Sequence, residues 1–163
     1  MFPTLKEELE SYLQSGKYSE LFINEFLAHV KNGTYEPDSI GKEIEYLEGK
    51  RDITATKKEA QFKGNLLKGL WHKHFFCAQH IEHNFVKLAE RLLPKKINGK
   101  NKTLEMALEE IQSWVKKSVI SHDKTGDWIV YKKTDRGNYY LTIAKHTESD
   151  EDIYNRIKPY LTN

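Results

Sequence analysis

The sequence predicts an α+β fold in which helices come first and a small antiparallel sheet follows. Before residue 48, apolar side chains recur three or four residues apart, which is the spacing of an amphipathic helix. Residues 128–146 are instead rich in β-branched and aromatic side chains on either side of a turn, as in a β-hairpin. The 163 residues are enough for one domain with a buried core, and we expect residues 1–163 to form one.

Three helices are predicted in the first 50 residues: 4–15, 20–31 and a shorter one from Pro37. A leucine at every fourth position gives the first helix its apolar face. Ser19 and Pro37 are typical of helix starts, because serine accepts a hydrogen bond from a free backbone N–H and proline has none to leave unpaired. Residues 49–65 are polar and rich in lysine, and they are predicted to form a loop with at most one helical turn.

The later part of the chain is predicted to alternate strands and helices. The expected elements are a strand at about 69–76, helices at about 79–93 and 103–118, a hairpin at about 127–146 and a last helix at about 149–160. The last helix has three acidic residues in its first turn, where the helix dipole favours negative charge.

The register of the hairpin decides which of its side chains face the core. The expected cross-strand pairs are Lys133 with Asn138, Tyr131 with Tyr140 and Ile129 with Thr142. One face, expected in the core, then carries Trp128, Val130, Tyr139, Leu141 and Ile143. The other is mixed and includes Tyr131, Lys133, Tyr140 and His146. It is either the wet floor of a binding groove or a surface that packs against the N-terminal helices.

Charge is divided unevenly along the chain. Residues 1–53 hold 6 Lys and Arg against 11 Asp and Glu, whereas residues 54–163 hold 20 against 13. We therefore expect an acidic helical subregion at 1–53 and a basic α+β core at 54–163. A basic surface is typical of proteins that bind polyanions, although a solvated lysine-rich surface gives the same count.

A cytoplasmic protein without a membrane partner is expected. Cys77 is the one cysteine, so no internal disulfide can form, which favours a reducing compartment. No apolar run approaches the roughly 20 residues that span a bilayer, and the first residues do not have the pattern of a secretory signal. The motifs of P-loop nucleotide-binding proteins, dinucleotide-binding proteins and serine hydrolases are also missing.

Four of the seven histidines fall within twelve residues: His72, His74, His80 and His83. On a strand, His72 and His74 share one face. Three interpretations stay open. The histidines bind a metal, although no flanking cysteines are present. They carry out acid–base catalysis, because imidazole titrates near neutrality. Or they are structural and hydrogen-bonded within an aromatic region.

Residues 67–74 and the hairpin at 127–146, taken with the order of the elements, resemble the ribonuclease toxins grouped with barnase, EndoU, colicin and RelE. The resemblance covers about residues 66–160 and is one of layout and residue type. It implies metal-free RNA cleavage by histidine, lysine, arginine and tyrosine side chains on a small antiparallel sheet.

The leading hypothesis is therefore a metal-independent ribonuclease of bacterial toxin or defence type, with RNA and a neutralising protein as partners and no cofactor or metal. The expected catalytic residues are His72, His74 and His146. The expected substrate-binding residues are Lys133, Lys145, Arg136, Tyr131 and Tyr140. One alternative is a non-catalytic regulator that binds nucleic acid or protein, as an antitoxin or immunity protein does. The other is a metal-dependent hydrolase.

Overall fold

The computed structural model describes residues 3–54, 56–76 and 126–161. The helices predicted at about 79–93 and 103–118, together with Cys77, His80 and His83, lie outside these residues. The described helices are α1 (Leu5–Ser11), α2 (Glu20–Lys31), α3 (Pro37–Leu47) and α4 (Asp150–Ile157), the last followed by a 3-10 helix at Lys158–Tyr160. The described strands are β1 (Lys17–Tyr18), β2 (Ala60–Gln61), β3 (Trp71–Phe75), β4 (Asp127–Thr134) and β5 (Gly137–Ala144).

The five strands form one mixed sheet, which confirms the predicted α+β class. Their order is β1-β5-β4-β3-β2, in which β1 runs parallel to β5 and every other neighbouring pair is antiparallel. The edge strands β1 and β2 were not predicted from the sequence. Each has only two residues, which is too short to show a period of two.

Side-chain caps fix where three of the helices begin. Thr4, Ser19 and Ser149 each accept a hydrogen bond from the backbone N–H three residues later, at 3.3, 3.0 and 3.1 Å. Helix α1 ends at Ser11, four residues before the predicted end. The Glu48 carboxylate accepts hydrogen bonds from the N–H groups of residues 14, 15 and 16 at 2.9, 2.8 and 2.8 Å, which draws that segment out of the helix.

The hairpin contains a β-bulge that the sequence did not reveal. Lys133 pairs with Asn138 and Tyr131 with Tyr140, as expected, but Val130 pairs with Thr142, so Leu141 is an extra residue in β5. The expected pairing of Ile129 with Thr142 is therefore wrong, and Ile129 lies opposite Ile143. Beyond the bulge the faces of β5 are exchanged, so Ile143 leaves the face it was expected to share with Trp128.

Both faces of the sheet are covered. On the α1–α3 face, the first three helices pack against Phe75, Ile129, Tyr131, Tyr140 and Ile143. On the α4 face, α4 and residues 62–70 pack against Val130, Tyr139, Leu141 and Ala144. Tyr131 and Tyr140 are fully buried. One of the two expectations for this face, packing of the tyrosines against the N-terminal helices, is therefore confirmed.

The described helices do not include a membrane span, because none of them is both long enough and apolar enough to cross a bilayer.

Candidate functional site

The three histidines expected to be catalytic meet around one tryptophan on the α4 face. Ring centroids of His72 and His146 lie 5.0 and 4.9 Å from that of Trp128. The His74 ring lies 5.6 Å from His72 and 5.4 Å from His146. We call these four residues the histidine cluster.

Strand alternation and the bulge together assemble this cluster. Successive side chains of a strand point to opposite faces, so β3 presents His72 and His74 on the same side. His74 pairs with Trp128 across β3 and β4, and Trp128 pairs with Ala144 across the hairpin. Without the bulge, His146 was expected on the face of Tyr131 and Tyr140. The extra residue in β5 brings it instead to the face that carries Trp128.

Asp127 fixes the position of His146. Its buried carboxylate accepts a hydrogen bond from the His146 backbone N–H at 3.0 Å on Oδ1 and from the Tyr35 hydroxyl at 2.5 Å on Oδ2. Tyr35 lies between α2 and α3, so the N-terminal helices support this end of the sheet. The His146 side chain itself is exposed.

Two backbone contacts from Gly126 meet the same ring nitrogen of His74. Nδ1 lies 3.0 Å from the Gly126 carbonyl oxygen, to which it can donate, and 3.4 Å from the Gly126 N–H, from which it can accept. The shorter contact favours the tautomer with the hydrogen on Nδ1, in which the lone pair of the neutral ring is on Nε2. A Cβ at Gly126 would collide with the Phe75 carbonyl oxygen, so glycine is needed for this close approach. His74 is 5% exposed, and burial lowers its pKa to about 4, so the ring is neutral at pH 7.

Two polar atoms of the cluster are buried without a hydrogen-bond partner among the described residues: His72 Nδ1 and Trp128 Nε1. The indole nitrogen can only donate, so a group that satisfies it must offer a lone pair. Burial, with a further contribution from the charge of His146, lowers the pKa of His72 to about 4. His72 is therefore neutral at pH 7 as well.

Of the expected substrate-binding residues, Lys145 is the nearest to the cluster along the chain, because it directly precedes His146. It is exposed. Burial, with a further contribution from the charge of Lys145, lowers the pKa of His29 in α2, on the α1–α3 side of the sheet. Lys57, which was not predicted, lies near enough for its charge to lower the pKa of His74. Lys133 lies five residues beyond Trp128 in β4, about 17 Å away at the usual rise of a strand. Arg136 lies beyond it, in the turn of the hairpin. The Lys133 ammonium lies 3.7 Å from the centroid of the Trp71 ring.

The tyrosines expected to bind a base are not in contact with this cluster. Tyr131 and Tyr140 lie on the α1–α3 face with no exposed surface, so neither ring can stack on a nucleotide in this structure. The Tyr140 hydroxyl donates a hydrogen bond to Glu48 Oε1 at 2.7 Å, which ties it to the end of α3. Neither tyrosine is retained as a substrate-binding residue in the function proposed below.

Sequence reasoning missed Trp128, Gly126 and Asp127 as parts of the site. Trp128 was placed in the core, because a tryptophan in a strand is most often a packing residue. A signal was present in the order Gly-Asp-Trp where β4 begins, since glycine and aspartate commonly mark a strand end that needs backbone contacts. That signal predicts a turn and carries no information about histidines far away in the sequence.

The metal interpretation gains no support from residues 3–54, 56–76 and 126–161. Within these ranges, no three or more histidine, cysteine, aspartate or glutamate side chains come together in a way that could hold a metal ion.

Three comparisons with known proteins were made, and the chain matches no protein-family model, no curated protein and no solved structure. The resemblance of residues 66–160 to the ribonuclease toxins therefore stays a prediction from the sequence.

Proposed function

We propose that this protein is a metal-independent endoribonuclease that cleaves RNA at the histidine cluster. The observation that carries the proposal is the convergence of three histidines, from two segments more than 70 residues apart, around one tryptophan whose indole N–H has no acceptor among the described residues. Imidazoles serve both proton transfers of RNA cleavage, and an indole N–H suits an oxygen of the phosphate group.

His74 is the general base in this proposal. Its neutral ring offers the Nε2 lone pair, which takes the proton from a ribose 2′-hydroxyl. The 2′-oxygen then attacks phosphorus, the bond from phosphorus to the 5′-oxygen breaks, and a 2′,3′-cyclic phosphate forms. The protonated form of His146 gives its proton to the leaving 5′-oxygen. The side chain of His146 is exposed, so a substrate can reach it.

The remaining groups of the site stabilise charge on the phosphate. Trp128 Nε1 donates to a phosphoryl oxygen, and His72 Nδ1 does the same in the tautomer that carries its hydrogen there. Hydrogen-bond donors that are held in position before the reaction stabilise the negative charge that builds up on the phosphate in the transition state. Lys57 adds positive charge at the edge of the cluster.

The biological setting proposed here follows from the resemblance to ribonuclease toxins. It makes this enzyme a bacterial toxin or defence protein that acts on RNA in the cytoplasm. It also implies a neutralising protein partner.

The test is cleavage of a labelled RNA oligonucleotide by the purified protein, with and without EDTA. The proposal predicts cleavage that EDTA does not change, products with a 2′,3′-cyclic phosphate and a 5′-hydroxyl, and no cleavage of the all-2′-deoxy strand. Cleavage lost with EDTA would overturn the proposal in favour of a metal-dependent hydrolase. Binding of RNA without cleavage would overturn it in favour of a non-catalytic regulator.

A further inference from the structure

A second site lies on the α1–α3 face, at the turn end of the hairpin. The end of α3, the loop that follows it and the two hairpin strands enclose a cavity of about 480 Å³. Its wall includes Arg51, Asp52, Glu59, Tyr131 and Lys133. This volume falls in the usual range for small-molecule sites.

Two buried polar atoms of this wall have no hydrogen-bond partner among the described residues: the Tyr131 hydroxyl and Glu59 Oε2. Tyr131 has no exposed surface at all. An unpaired buried polar group costs free energy, so its persistence needs an explanation. The Tyr131 hydroxyl can donate a hydrogen bond, whereas the carboxylate oxygen Glu59 Oε2 can only accept one.

The charged residues of the wall are of both signs. Arg51 and Lys133 are cationic, and Asp52 and Glu59 are anionic. The Lys133 ammonium lies 3.8 Å from Glu59 Oε1, with the two side chains 46% and 25% exposed. Such a long, partly exposed ion pair is weak, so a ligand can replace it at little cost. Arg51 Nε contacts Glu45 at 3.3 Å, which leaves the two terminal nitrogens of the guanidinium for other partners.

We propose that this cavity binds a small zwitterion of the α-amino-acid class. The ligand's ammonium group donates to Glu59 Oε2, and its carboxylate accepts from the Tyr131 hydroxyl and lies near Lys133 and Arg51. A simple anion would be repelled by Glu59 and Asp52, and a simple cation by Arg51 and Lys133. A ligand that carries both charges satisfies both unpaired atoms at once. This inference does not depend on the proposed ribonuclease activity.

The first test is a thermal-shift screen of the full chain with the common L-amino acids at millimolar concentration. Isothermal titration follows for each amino acid that raises Tm, together with its N-acetyl and C-amide derivatives. We expect at least one amino acid to raise Tm, and each blocked derivative to bind about tenfold more weakly or worse, since each loses one charged hydrogen bond. No shift with any amino acid, or equal binding of the blocked forms, would overturn the proposal.

Variants separate ligand binding from folding. Tyr131→Phe removes the unpaired hydroxyl, so the free protein is expected to keep or raise its Tm while its affinity for the amino acid falls about tenfold. Glu59→Gln should weaken binding by a similar factor. Tyr154→Phe, in α4 on the other face, is the matched control and should bind as the wild type does. Wild-type affinity in the Tyr131→Phe variant would contradict the assigned site.

Discussion

At the residue scale, two imidazoles are held neutral by burial. The pKa values of His72 and His74 are lowered from 6.5 to about 4, in both cases chiefly because burial disfavours the charged ring. For His74, the hydrogen bond to Gly126 works in the opposite direction and does not outweigh burial. Because of this burial, the His74 ring stays unprotonated across the neutral range. The proposed role of His74 requires this, since only an unprotonated ring has a lone pair that can take a proton.

The same shifts predict how stability depends on pH. Between pH 6.5 and about 4 the unfolded chain binds protons on His72 and His74 that the folded chain does not, so the free energy of unfolding falls as pH falls through this window. We expect a loss on the order of 2 kcal/mol, less than the full linkage value because the rings keep some contact with solvent. Urea denaturation from pH 7 to pH 5, above the usual carboxylate range, measures it. Burial raises the pKa of Glu25, and this group is the same in the wild type and in the control variant below.

The control for this prediction is the His72→Asn/His74→Asn double variant. Its free energy of unfolding should change much less than that of the wild type over the same pH range. An equal slope in the two proteins would show that the histidine cluster is not the source of the dependence.

At the element scale, the alternation of β3 serves both faces of the sheet. While His72 and His74 face the cluster, Lys73 points to the α1–α3 face and has no exposed surface. Its ammonium lies 2.8 Å from Glu43 of α3 and donates to Thr54 Oγ1, Thr56 Oγ1 and the Lys57 carbonyl at 2.8, 2.5 and 2.7 Å. This buried ion pair joins α3 and the loop at 54–57 to the strand that carries the histidines.

Removing the charge of Glu43 from its buried ion pair with Lys73 should lower the stability of the fold. In Glu43→Gln, the Lys73 ammonium stays buried without its counter-charge, and we expect the free energy of unfolding to fall by about 3 kcal/mol. Glu45→Gln is the matched control on the same helix. Its pair with Arg51 is partly exposed, so a change of at most about 1 kcal/mol is expected. Similar losses in the two variants, measured by urea denaturation, would contradict a special role for the buried pair.

The sequence predicted most elements but not the details that build the site. The bounds of α2 followed from its serine cap, and the existence of the hairpin strands β4 and β5 followed from β-branched and aromatic composition. A strand was also expected at about 69–76, where β3 lies, although the apolar residues there fit no clean period. The bulge at Leu141 did not, because Leu141 and its neighbours fit an uninterrupted strand equally well. That one extra residue moves Ile143 away from the face of Trp128 and brings His146 toward it. Local patterns predict elements, whereas the register between strands depends on contacts between distant segments.

At the scale of the whole molecule, the buried polar atoms without partners form two pairs on opposite faces of one sheet. His72 Nδ1 and Trp128 Nε1 belong to the histidine cluster, and the Tyr131 hydroxyl and Glu59 Oε2 belong to the cavity near the hairpin turn. These four are the unpartnered buried side-chain atoms found in the described part of the chain. Buried polar groups are nearly always paired in folded proteins, so their concentration at two places supports a ligand at each.

The two faces of the sheet also differ in the charge that lies near them. The N-terminal helices, which hold most of the acidic excess of residues 1–53, pack on the α1–α3 face, away from the histidine cluster. In the proposed function, RNA approaches the other face, near Lys57. A polyanion is attracted there without having to pass over the acidic helices.

The central claim is that His74 acts as the base in RNA cleavage, and kcat/KM of the His74→Asn variant on an RNA oligonucleotide tests it most directly. Asparagine keeps an amide N–H for the Gly126 carbonyl but has no basic nitrogen. His29→Asn is the matched control, since the ring of His29, a residue of α2, packs against Tyr35 with centroids 4.6 Å apart and lies outside the cluster. We expect kcat/KM to fall at least about a hundredfold in His74→Asn, with Tm retained, and to stay unchanged in His29→Asn. Wild-type cleavage by a folded His74→Asn protein would contradict the account.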